Sequence, residues 1–85
     1  MLKNKEGENE VKEIKKGKYR HFKGKEYEVL DVAIHSETGE PYVVYRALYG
    51  SFDLYIRPYD MFFSEVDREK YPDVKQVHRF EYIGE

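Results

Sequence analysis

Eighty-five residues with a net charge of −2, nine Tyr, five Phe and no Trp leave room for one small domain with an aromatic core. There is no Cys, which removes disulfides and thiolate metal sites, and no apolar run near the roughly 18 residues needed to cross a bilayer. Residues 1–18 hold six Lys and four Glu, net +2, and the remainder is net −4, so the strongly basic footprint of a duplex-DNA binder is missing.

Residues 1–16 are polar, with no signal-peptide pattern, and a cytoplasmic location is expected. They read as a flexible or partly helical tail, because they offer little to bury; Asn9 would cap a short helix that Gly17 ends. Residues 17–85 read as one β domain. Residues 18–23 alternate as a short strand, with Tyr19 and His21 on one face and Arg20 and Phe22 on the other. After a Gly24-Lys25 turn, residues 26–36 form the second strand. Its alternation places Leu30, Val32 and Ile34 on one face, and Tyr27, Val29, Asp31, Ala33 and His35 on the other.

The segment E-T-G-E-P at 37–41 is a hairpin turn. Residues 42–49, Y-V-V-Y-R-A-L-Y, are the longest run of β-formers and read as the central strand. Gly50-Ser51 turns the chain again. Residues 52–57 follow as a strand with Tyr55 and Arg57 on one face and Leu54 and Ile56 on the other. Pro58 stops it. Residues 59–61 read as a single 3₁₀ turn, 62–66 as a brief strand, 67–75 as a polar connection and 77–83 as the last strand. The expected fold is all-β: a small SH3-like barrel of five to six short antiparallel strands with one 3₁₀ turn, or alternatively an open antiparallel meander sheet.

The blocks G-K-Y-R-H-F-K-G (17–24), H-S-E-T (35–38), V-V-Y-R-A-L-Y-G (43–50) and I-R-P-x-x-M-F (56–62), followed by R-F-E-Y (79–82), occur in this order. Together they resemble a family of short bacterial proteins that carries only the label "domain of unknown function". The resemblance implies a bacterial source and a domain that is often a whole protein; it brings no activity, substrate or cofactor. Tyr55 departs from the pattern, which has another aromatic such as Trp there.

His21 and His35 have the chemistry of metal ligands or acid–base groups, but no two His lie within four residues and Cys is absent. The plainer reading is a strand-end His satisfied by nearby backbone or hydroxyl groups. His35-Ser36-Glu37-Thr38 holds a hydroxyl, a base and a carboxylate, yet no nucleophile elbow surrounds Ser36, and turn chemistry accounts for the hydroxyls. No phosphate loop, dinucleotide fingerprint or EF-hand spacing occurs, and no metal, cofactor or catalytic residue is expected.

The remaining candidates are Arg side chains within strands beside aromatic rings. A planar guanidinium grips carboxylate or phosphate, and Tyr rings stack bases or peptide groups. The competing reading pairs each Arg with a nearby Asp, its stem covering apolar surface. The expected ligand-binding set is His21, His35, Tyr45, Arg46, Tyr49, Tyr55 and Arg57. The expected function is a non-enzymatic binding module for a protein segment, a single-stranded nucleic acid or a nucleotide, as a monomer or weak homodimer away from membranes. The alternatives are a small enzyme acting on a phosphate- or carboxylate-bearing molecule, and a dimerisation domain.

Overall fold

The computed structural model describes residues 14–85. Most of the tail expected over 1–16 therefore lies outside the described residues. The elements are β1 (Gly17–His21), β2 (Glu26–Ile34), β3 (Pro41–Ala47), β4 (Leu54–Pro58), one helical turn α1 (Tyr59–Phe62) and β5 (Phe80–Gly84). Consecutive strands β1 to β4 pair antiparallel as a meander, and β5 returns to pair with β1, giving the order β4-β3-β2-β1-β5. The all-β, antiparallel expectation holds. The sheet is not closed into a barrel and has β4 and β5 as its edges, so the open-meander alternative also fits.

Alternation in β3 does what its sequence dictates. Val43, Tyr45 and Ala47 point inward and are buried, while Tyr42, Val44 and Arg46 face outward. In β2 the alternation fails after Val29. A bulge between Val29 and Asp31 inserts one residue, so Val29 stands opposite Tyr45 but Val32 stands opposite Val43. Directly opposed residues share a face, so the bulge moves Val32 onto the inner face and turns Asp31 and Ala33 outward. The expected grouping of Asp31 and Ala33 with Val29 is corrected accordingly.

The turn after β4 is α-helical rather than 3₁₀: the Phe63 N–H donates to the Tyr59 carbonyl, four residues back, at 3.2 Å. Pro58, with φ −52°, sets the entry, and Phe62 anchors the turn by burying its ring completely. The strand expected at 62–66 shrinks to one bridge between Glu65 and His78, where the connection folds back on itself.

The core lies on the inner face, under α1 and this connection. Tyr19, Val29, Val43, Tyr45, Phe62 and Phe80 form it, with Tyr27, Phe63 and Tyr82 packed at its margin. Phe62 and Phe80 stack with centroids 4.1 Å apart and planes within 4°. Around them rings meet edge to face: Tyr19 on Phe62 at 5.6 Å, and Tyr45 on Phe80 at 5.6 Å. Full burial of a Val or Phe side chain contributes roughly 1.5–3 kcal/mol, and each aromatic pair about 0.5–1.5 kcal/mol beyond its area. A domain this small relies on that concentration of rings. Gly17 is required where β1 meets β5: its φ is +133°, and a Cβ there would sit 2.7 Å from the Gly84 carbonyl oxygen.

Candidate binding face

Tyr27 sits at the centre of a polar aromatic cluster. Its hydroxyl is 2.7 Å from that of Tyr49, and its ring meets Tyr45 at 5.4 Å and Phe80 at 5.5 Å, edge to face. Burial pushes its phenol well above the usual tyrosine range; the hydrogen bond to Tyr49 and the nearby Tyr45 and Tyr55 hydroxyls add to this. A phenol hydroxyl can donate and accept at once, which is what the Tyr27–Tyr49 contact uses.

The register of β3 and β4 places Tyr55 opposite Tyr45 and Arg57 opposite Val43. Both therefore share the inner face. Arg57 Nε donates to Tyr45 Oη at 3.1 Å, and its guanidinium carbon lies 5.7 Å from the Phe80 centroid. The Tyr55 ring lies 5.8 Å from that of Tyr45 and is 41% exposed. Tyr45 itself is 4% exposed, so it presents its hydroxyl through Arg57 rather than its ring to solvent.

His21 closes the cluster from β1. Its ring meets Phe80 edge-on at 4.9 Å and stacks on Phe22 at 4.5 Å. Burial lowers its pKa to about 4, and the positive charges of Arg79, Arg57 and Lys23 push in the same direction. At neutral pH the imidazole is neutral. Its Nδ1 accepts the Lys23 N–H at 3.1 Å, which leaves the hydrogen on Nε2.

Five of the seven expected residues thus gather on one face: His21, Tyr45, Tyr49, Tyr55 and Arg57. The other two lie elsewhere. Arg46 points to the outer face and donates to the Phe52 carbonyl at 2.9 Å, bracing the β3–β4 turn. His35 stands beyond the far end of β2, a nine-residue strand that separates it from His21 by roughly 25–30 Å. Its Nδ1 accepts the N–H groups of Glu37 and Thr38, so it shapes the hairpin.

Sequence reasoning missed Tyr27 as the hub, along with Phe80 and Arg79. Arg79 donates from Nε to Ser64 Oγ at 3.2 Å, and its carbonyl accepts the Phe22 N–H at 3.0 Å. Its place in the R-F-E-Y block, next to the ring that links His21 to Arg57, is the signal that points to it.

The ion pairs among the described residues are Lys16–Asp31 at 4.0 Å and Arg20–Glu26 at 3.2 Å, both exposed. Neither involves Arg57 or Arg79. Two half-buried guanidinium groups therefore flank a neutral imidazole without a carboxylate partner. Beside them, a hollow of about 310 Å³ opens between the β1–β2 turn and the 66–71 connection, lined by His21, Phe22, Lys23, Asp67, Lys70, Tyr71 and Arg79 among others. A larger cleft of about 590 Å³ runs along β5, bounded by Tyr19, Phe63, Val77 and Tyr82. It holds none of the unpaired guanidinium groups. No group of three His, Asp or Glu among the described residues is placed to hold a metal ion, and no helix among them is long and apolar enough to cross a membrane.

These features define a class: a small open antiparallel sheet with a Tyr/Arg/His face over an aromatic core. The match of a family model over residues 17–82 shows that the chain belongs to the family described as a protein of unknown function, DUF1653. A crystal structure of a DUF1653 protein from Bordetella bronchiseptica is similar, with a TM-score of 0.71 and 33% sequence identity, covering 84% of this chain and 88% of that one. Among curated proteins none matches the chain.

Proposed function

We propose that this protein is a non-enzymatic binding module. Its face of Tyr27, Tyr49, Tyr55, Arg57 and His21 holds an anionic, ring-bearing ligand, best matched by one or two nucleotide units of a single-stranded nucleic acid. The observation that carries this is the unpaired, half-buried Arg57, oriented by Tyr45 Oη next to the exposed ring of Tyr55. A half-buried guanidinium with no carboxylate partner in the ion pairs of the described residues keeps donors for an incoming anion beyond the one given to Tyr45. An adjacent ring gives a base a surface to stack on, worth about 1–3 kcal/mol per base. The net charge of −2 matches a short footprint on a few phosphates rather than long-range capture.

An enzymatic reading has less support. His21, Arg79 and Asp67 do line one hollow, the set an acid–base enzyme needs. However, Asp67 Oδ1 already accepts the N–H groups of Glu69 and Lys70, and His21 Nδ1 is held by Lys23. Neither is presented as the orienting partner of the other.

A second copy of the chain is the other partner the surface fits. Edge strand β4 carries Leu54 and Ile56 on its outer face, 52% and 63% exposed, and Arg57, its sole charged residue, points inward. Such an edge lacks the outward charges that discourage strand pairing.

The test of the leading reading is fluorescence anisotropy of a labelled six-nucleotide single strand with wild type and Arg57→Ala. The variant should lose at least about tenfold in affinity, matching roughly 1.5–3 kcal/mol for a charge-assisted contact, while keeping its β circular-dichroism spectrum. A folded variant that binds as well as wild type would falsify the assignment.

A further inference from the structure

The hollow beside His21 has a chemistry of its own. Lys23 Nζ lies 5.4 Å from the Tyr71 ring centroid, and Lys70 Nζ lies 5.8 Å from the same centroid. Two ammonium groups are thus gathered on one ring, with the Arg79 guanidinium lining the same space. None of the three appears in the ion pairs of the described residues. The one carboxylate in the lining, Asp67, spends an oxygen on the N–H groups of Glu69 and Lys70. One carboxylate against three cations leaves a net +2, on residues that the fold itself brings together from three separate segments. Like charges in proximity repel, and a dianion placed among them removes that repulsion.

The walls add to this. Phe22 and Tyr71 meet edge to face at 4.9 Å and form an apolar side. The volume of about 310 Å³ exceeds what a bare tetrahedral anion occupies. We propose that this hollow is a binding site for a phosphate monoester, its dianionic group held by Lys23, Lys70, Arg79 and the His21 Nε2–H, and its small organic part resting on Phe22 and Tyr71. A monoester carries close to two negative charges at neutral pH, which the phosphodiester of a nucleic-acid strand does not. The site adjoins the Arg57 face and shares His21 with it, but its Lys23, Lys70 and Arg79 are not part of that face, so it stands whether or not the face binds a single strand.

The experiment is NMR titration of the full chain at constant ionic strength with inorganic phosphate, with ribose 5-phosphate and with chloride as control. The His21 ring signals report the site. Phosphate and the sugar phosphate should both shift them saturably and raise the pH at which the imidazole titrates; the sugar phosphate should bind at least about fivefold more tightly and also move Phe22 and Tyr71. Equal affinity for the two would reject the ester and leave a free-phosphate site. Lys23→Ala/Lys70→Ala, which changes only exposed side chains, should weaken both ligands at least about tenfold. Chloride producing the same shifts, no saturation with either ligand, or undiminished binding by the double variant would overturn the proposal. Oligonucleotide binding by the same double variant keeps the two readings apart, because it depends on Arg57.

Discussion

His21 shows how one side chain ties stability to the site. Its folded-state pKa, about 4, lies below the ordinary 6.5 because burial and then Arg79, Arg57 and Lys23 disfavour its charged form. The unfolded chain takes up the proton first as pH falls. The contribution of the neutral ring is therefore fully present above about pH 6.5 and is lost progressively down to about pH 4. Allowing for solvent at this partly open site, the loss is on the order of 1 kcal/mol. Chemical denaturation at a series of pH values should show it, and His21→Gln should remove that part of the slope. An unchanged slope in the variant would show that other groups carry it. The neighbouring residues also show what sequence reveals. Tyr55 and Arg57 were assignable to one face because alternation within five residues is local. Arg79 and Lys70 were not, since they reach His21 only through the folded-back connection, whose course no local pattern encodes.

Among the elements, β3 is the one most legible in sequence: its buried residues are those that strict alternation selects. Its neighbour β2 is less so. A run apolar on both faces, V-L-D-V-A-I, does not reveal where a bulge re-phases it. The single turn α1 reads from sequence one residue short and as 3₁₀ rather than α-helical, since four residues after a proline fit either helical geometry. Edge strand β4 carries the element-scale prediction. If two copies pair along it, a light-scattering mass that rises towards the dimer with concentration should fall back to the monomer in Ile56→Lys, which adds the outward charge that edge strands use as protection. A monomer at all concentrations would remove the second copy as a partner.

Over the whole molecule, the open sheet determines what is available. A closed barrel would cover both edges and leave only its outer wall; here the inner face is shielded by α1 and the folded-back connection while Tyr55 remains 41% exposed at its margin. The same rings that compensate for small size also place hydroxyls and guanidinium groups together, because Tyr and Arg bring polar ends wherever their apolar parts are buried. Core and candidate face are thus one network, joined through Phe80, which touches His21, Tyr27, Tyr45 and Arg57. Chemical-shift mapping of isotope-labelled protein with a short single-stranded oligonucleotide tests this arrangement most directly. Binding should perturb a contiguous set at Tyr49, Tyr55, Arg57 and His21 and leave the His35 hairpin still; shifts confined to the hairpin or the outer face, or no shifts at all, would contradict it.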